Sequence, residues 1–255
     1  MNEKENIDAK WLIFKSVDLI LARRSQRLRR AGGHKRLLIM KYYILTISDN
    51  LNIVGSYPQI SPSDENVFGS PFSNEEIIIG EMPQYIPRIV LRFNENAIIT
   101  DLLSTFNPSF GLVINERIES IVSNLNLPNH KFYPIEVFWK DDLLKYNWFN
   151  FYNNLFEYID FDKTVIEIFH KFSFKVLDTV LLESADNFKK IKSTLGLEKR
   201  IRLKDLYFNS SFPRYDIMVN NIIGYGNLIS ENLLKALQKN NITGYEASPY
   251  NVIKS

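Results

Sequence analysis

Leu112-Val113-Ile114-Asn115-Glu116-Arg117-Ile118 is echoed 115 positions further on by Asn227-Leu228-Ile229-Ser230-Glu231-Asn232-Leu233. Each segment runs through about two helical turns into a short strand, Lys131-Phe132-Tyr133-Pro134 in the first copy and Thr243-Gly244-Tyr245-Glu246 in the second. Asn115 and Ser230 stand where a side-chain oxygen can accept from the free amides of a helix's first turn. Beyond Asn115, the residues Ile118, Ile121, Val122 and Leu125 recur at helical spacing and form one apolar face, which Pro128 and Asn129 end. Beyond Ser230, Leu233, Leu234 and Leu237, with Ala236, form the corresponding buried side. The doubled pattern predicts an internal helix–strand repeat.

Outward from the repeat, Tyr42 to Ile47 alternates and is rich in β-formers, so it predicts a first strand. Residues 55–87 carry Pro58, Pro62, Pro71, Pro83 and Pro87 with Gly55, Gly69 and Gly80, which predicts long loops around short extended pieces. Arg88 to Phe93 reads as a strand, Ile98 to Leu103 as another, and Phe132 to Trp139 as a third with Tyr133, Ile135, Val137 and Trp139 on one face. Tyr146 to Phe169 is aromatic and β-branched, broken at Asn153-Asn154, and fits two strands joined by a turn. Phe174 to Leu182 is ambiguous between strand and helix. Ser184 to Leu195 reads as a polar helix ended by Gly196. Ile201 to Phe208 and Asp216 to Val219 read as short strands. Strands and helices mix without a βαβ rhythm, so the expected class is α+β: a mixed, largely antiparallel sheet with a few packed helices.

Hydrophobic residues make up 45% of the 255, aromatics 13% and charged residues 24%, a globular composition. Cysteine is absent, which excludes disulfides and thiolate chemistry and suits a reducing cytoplasm. Residues 1–39 hold ten Lys/Arg against four acids, so the net +2 of the chain leaves residues 40–255 at −4. A nucleic-acid binder would carry its positive charge on the folded body, so neither nucleic acid nor membrane is the expected partner. Trp11 to Ala22 resembles a signal core, but Lys15 and Asp18 interrupt it and the arginines follow it, the reverse of a secretory signal. Met40-Lys41-Tyr42-Tyr43 reads as a protein start opening into a strand. Residues 1–39 are therefore expected to be an unstructured or over-extended leader, and 40–255 a single α+β domain.

No pattern of catalytic residues stands out. His34, His130 and His170 have no metal-site spacing, no serine sits in a Gly-x-Ser-x-Gly turn, and Gly224-Tyr225-Gly226 lacks the third glycine of a phosphate loop. The most suggestive cluster is Phe138 to Asp162, where Asp141, Asp142, Glu157, Asp160 and Asp162 meet only Lys140 and Lys145. It reads either as a solvated hairpin edge with an aromatic inner face, or as a surface for a basic protein. Trp139, Asp141, Asp142, Glu157 and Asp160 are the candidate contacts.

The order of these pieces resembles a family of bacterial immunity proteins from polymorphic toxin systems. The resemblance runs through Met40 to Leu45, Leu112 to Ile118, Phe132 to Val137, Tyr146-x-Trp148-Phe149-Asn150, Ile159 to Thr164, Leu228 to Leu233 and Ile242 to Tyr245. It implies a cytoplasmic antidote, encoded beside a toxin, that neutralises that cognate toxin by binding it. It implies no enzyme, no cofactor and no metal. Steric occlusion over a buried interface of about 1,600 Å² is the expected mechanism. The alternatives are a metal-dependent enzyme acting on nucleotides or modified side chains through the Asp/Glu/Tyr cluster, and a structural assembly partner.

Overall fold

The long strand pair Asn129–Trp139 and Asp142–Tyr152 organises the larger half of the molecule. The computed structural model describes residues 41–62, 78–84, 86, 88–104, 110–222 and 226–254, so the basic leader and the expected start at Met40 lie outside the described residues. The strands are β1 (Tyr42–Ile47), β2 (Ile60–Pro62), β3 (Val90–Phe93), β4 (Leu102–Leu103), β5 (Leu112–Asn115), β6 (Asn129–Trp139) and β7 (Asp142–Tyr152). They continue as β8 (Val165–His170), β9 (Val176–Leu181), β10 (Lys199–Tyr207), β11 (Ile217–Val219), β12 (Asn227–Ser230), β13 (Tyr245–Pro249) and β14 (Ile253–Lys254). The helices are α1 (Leu51–Val54), α2 (Glu116–Val122), α3 (Ala185–Thr194) and α4 (Glu231–Lys239). The class is α+β with largely antiparallel sheets; β3 with β6 and β10 with β14 are parallel pairs.

A six-stranded sheet runs β2-β3-β6-β7-β5-β4. Alternation along its strands sends one set of side chains inward: Leu91, Leu103, Val113, Tyr133, Ile135, Val137, Tyr146 and Trp148 share one buried cluster with Ile60. The other set, Leu102, Leu112, Ile114, Phe149 and Phe151, faces the opposite way into a second cluster. The sheet curls until its edges meet, because the amides of Gln59 and Ile60 donate to the Ser104 carbonyl (3.1 and 3.2 Å). That closure satisfies edge groups that would otherwise be exposed. Trp148 fills the interior, stacked on Tyr133 at 5.2 Å, and its indole N–H donates to the Phe110 carbonyl (2.8 Å).

A four-stranded sheet, β11-β12-β1-β13, packs with α2 and α4 against the outer face of β4, β5 and β7. The strand–helix junctions of the two sheets are built alike. β4 pairs β5 through Leu102 with Ile114, and β11 pairs β12 through Ile217 with Ile229. Asn115 accepts from the amides of Arg117 and Ile118 and donates Nδ2–H to Asp101 (2.7 Å). Ser230 accepts from the Leu233 amide and donates its hydroxyl to Asp216. Each aspartate then crosses over: Asp101 accepts from Thr243 beyond α4, and Asp216 from the Asn126 amide beyond α2. Tyr146 lies opposite Asn115 and donates to the Thr100 carbonyl (2.5 Å); Tyr42 lies opposite Ser230 and donates to the Tyr215 carbonyl (3.0 Å). Burial, with the nearby Asp101 and Asp216 charges, pushes both phenols well above the ordinary tyrosine value. Gly244 closes the crossing at φ 89°, where a Cβ would lie 2.1 Å from the Leu102 carbonyl oxygen, so no other residue fits.

The third sheet, β14-β10-β8-β9, buries Ile166, Leu203 and Leu206 against Phe188 of α3 and against Tyr42, Met218 and Leu228 of the four-stranded sheet. Ser184 caps α3 by accepting from the Asn187 amide (3.0 Å). Two expectations change here. Residues 146–169 do form two strands, but β7 lies between β6 and β5 while β8 belongs to the third sheet, with a 3₁₀ turn (Leu155–Tyr158) in the link. β7 is thus central, not a solvated hairpin edge. The strand expected from Ile98 shrinks to Leu102–Leu103, because the Ile98 backbone bonds Val54 and Gln59 and the Thr100 carbonyl accepts from the Tyr146 hydroxyl, none of them a strand partner.

Candidate partner-binding surface

Two loop segments, 50–59 and 94–100, are locked side by side on a buried polar frame. Asn50 caps α1 by accepting from the Asn52 amide (3.0 Å), and Gly55 ends it with φ 73° and an N–H bond to the Leu51 carbonyl (2.9 Å). A Cβ on Gly55 would lie 2.0 Å from the Asn96 carbonyl oxygen, so the absent side chain is what lets the segments touch. The Ile98 amide then donates to the Val54 carbonyl (2.8 Å). Gln59, fully buried, is the hub of the frame. Its Nε2 donates to the Ile98 carbonyl (2.6 Å) and to Thr100 Oγ1 (2.9 Å), and its Oε1 accepts from the Ser104 amide (3.0 Å). Asn94 Nδ2 donates to the Pro58 carbonyl (2.6 Å) and ties the outer loop down.

The frame leaves apolar side chains on the outside. Val54 alone of α1 is buried, while Leu51, Ile53, Tyr57, Ile98 and Ile99 remain 38–60% exposed. Their exposed surfaces sum to on the order of 500 Å². Their backbone is fixed by the bonds above, so the patch has no local route to bury itself. Residues 42–62 and 93–104 contain no lysine or arginine. Asp49 and Glu95 stand exposed among them, and Glu246 accepts from the Ser48 hydroxyl (3.0 Å) on the adjoining strand. Asp101 is buried and held by Arg117 at 2.7 Å. An apolar platform with acids beside it favours a partner whose own face is apolar and basic.

The five residues named from sequence fall in two places. Trp139 is half-buried, edge-on to Phe93 at 5.4 Å, and sits with the exposed Asp141 and Asp142 at the β6–β7 turn. Glu157 and Asp160 lie past the far end of β7, about 33 Å away by strand rise. Glu157 accepts from Asn154 Nδ2 (3.0 Å), and Asp160 is paired with Lys163 (2.7 Å), whose pKa it raises. The structure therefore brings Trp139, Asp141 and Asp142 together and sets Glu157 and Asp160 apart from them. His130 Nδ1 lies 2.8 Å from the Pro128 carbonyl oxygen, and His170 stands 3.8 Å from Glu198. Among the described residues no group of three or more His, Asp or Glu side chains is placed to hold a metal ion.

Of the platform residues, Tyr57 lies in the stretch 55–87 read as loop, Ile98 and Ile99 in the strand expected from Ile98, and Leu51 and Ile53 in a segment given no element. The available signal was Leu51, Ile53 and Tyr57 standing among Asn, Gly and Pro, where polar side chains are the norm. Among the described residues no helix is long and apolar enough to cross a membrane. No protein-family model matches the chain, and a search of curated proteins finds no match.

Proposed function

We propose that this chain is a cytoplasmic antidote, similar to the immunity proteins of polymorphic toxin systems, that binds a cognate toxin and covers its active site. The observation that carries the proposal is the apolar platform of Leu51, Ile53, Tyr57, Ile98 and Ile99, held rigid by Gln59 and bordered by acids. A toxin with a basic cleft would be steered toward such a face and then lose its access to substrate beneath it. Tyr57 is the natural anchor, an aromatic ring at the outside of a fixed loop. Trp139, Asp141 and Asp142 form a second, smaller contact candidate at the β6–β7 turn.

The internal repeat belongs to the same reading. The 115-residue offset relates Asp101 to Asp216, Asn115 to Ser230 and Thr100 to Tyr215, and each pair occupies the same hydrogen-bonding role. This supports descent of the two strand–helix units from one duplicated segment. Their joint function is to fix the scaffold that holds the platform, since Thr100 bonds both Gln59 and Tyr146.

The test is stoichiometric inhibition of the toxin domain encoded beside this protein. Tyr57→Ala with Ile98→Ala should weaken inhibition by at least about a hundredfold, equal to about 2.7 kcal/mol, with the fold retained. Unchanged inhibition by that double variant would remove the platform from the proposal.

A further inference from the structure

The third sheet ends in a feature of opposite character. The β8–β9 turn and the loop leading into β10 meet there, joined by the Lys171 amide donating to the Glu198 carbonyl (2.7 Å) and by His170 lying opposite Lys199. Phe172 is 69% exposed, Phe174 67% and Leu197 90%, so three large apolar side chains present most of their surface to solvent. Phe174 does so from the left-handed region (φ 55°), a conformation that a bulky side chain rarely adopts, and stacks at 6.2 Å on Phe169. Lys171, Lys175 and Lys199 surround them, and Lys171 reaches over the Phe172 ring at 5.5 Å. Beside them an open cleft of about 280 Å³ is lined by Lys192, Lys199 and Arg200 over Phe188 and Ile201. Residues 171–204 carry nine Lys/Arg against four acids, a net +5, within a body of net −4.

We propose that this tip docks on an anionic phospholipid surface, with Phe172, Phe174 and Leu197 entering the headgroup–acyl boundary and the cations meeting lipid phosphates. Three points favour lipid over protein or nucleic acid. Protein interfaces are depleted in lysine, which here is the dominant cation. Bases would stack on aromatic rings displayed along a sheet face, whereas these rings project from a turn at its end. Apolar side chains ringed by lysine are the composition of interfacial membrane binding. The cleft gives a phosphate headgroup a place among three positive charges, and among the described residues no carboxylate lines it. The proposal goes beyond the toxin reading and uses none of the platform residues, so either can fail alone.

The experiment is co-sedimentation of the full chain with vesicles of phosphatidylcholine alone and with about 30% phosphatidylglycerol. Binding is expected only to the anionic vesicles and should fall steeply with added salt. Phe172→Ser with Phe174→Ser and Leu197→Ser should reduce partitioning at least about tenfold. A second variant, Lys171→Gln with Lys175→Gln and Lys199→Gln, changes only exposed side chains and should do the same, about fivefold or more per charge. The proposal is overturned if the wild type leaves anionic vesicles unbound or if both variants bind undiminished, which would assign the affinity to another part of the chain. Displacement from vesicles by a single-stranded oligonucleotide at equal charge concentration would also overturn it, in favour of nucleic acid.

Discussion

Replacing Asp101 by alanine removes one acceptor from four donors: Asn115 Nδ2 (2.7 Å), Arg117 Nη1 (2.7 Å), the Thr243 amide (2.8 Å) and the Thr243 hydroxyl (3.0 Å). The carboxylate's side chain is 4% exposed, so water does not readily replace it. Arg117 is 55% exposed and rehydrates, so its share is small. The other three hydrogen bonds are partly buried, and each donor loses about 1 kcal/mol when its acceptor goes. The expected cost is therefore about 3–4 kcal/mol, within the range for breaking a buried charge network. Asp101→Asn keeps the shape but presents an NH₂ to donors, and should cost about 2 kcal/mol. Asp186→Ala, at the exposed Lys189 pair, should cost no more than about 0.5 kcal/mol. Urea titration followed by circular dichroism measures all three, with an unchanged slope showing that the same surface unfolds. A loss below about 1 kcal/mol for Asp101→Ala would refute the account of this aspartate as the tie between α2 and the end of α4.

Gly55→Ala places a Cβ against the Asn96 carbonyl at a positive φ; it should lower stability by at least about 2 kcal/mol and raise hydrogen exchange at Ile98, read by mass spectrometry. Val122→Ile adds one methylene beside the gap of about 20 Å³ between α2, α4 and both sheets, and should add up to about 0.8 kcal/mol in the same urea assay. Glu167 is held below its ordinary value of 4.5, first by the hydrogen bond from Arg202 and further by Lys204. Because its folded-state pKa is depressed, its stabilisation is complete above the unfolded value and is lost as pH falls through the folded one. Glu167→Gln should therefore flatten the decline of melting temperature between about pH 5 and pH 3.

The parts of this fold that were legible in sequence are those decided within a few residues. Asn115 and Ser230 cap the helices they were expected to cap, because an Ncap bond spans only two or three positions. Tyr133, Ile135 and Val137 alternate inward as read, since pleat direction is local. Sheet membership is not local. Nothing in residues 146–169 says that β7 takes neighbours at 112–115 and 129–139 while β8 takes 176–181 and 199–205. Phe174 to Leu182 resolves as β9, a strand whose mostly exposed residues denied it the alternation that marks a half-buried one. The Asp101–Thr243 bonds span 142 residues, and the platform joins 51–57 to 98–99 through a glutamine that sequence alone marks as polar loop. The acids at 139–162 drew attention because they adjoin in sequence, yet the eleven-residue β7 carries them to opposite ends.

The central proposal is that the molecule acts by covering a cognate toxin without turning over, so that it neutralises in proportion to its amount. Its most direct test titrates the purified full chain into the proposed cognate toxin domain, following heat of binding and residual toxin activity together. The account predicts saturation of both signals at one equivalent, lost together in Tyr57→Ala with Ile98→Ala. Complete neutralisation by a small fraction of an equivalent would contradict it, because a surface that only occludes cannot turn over.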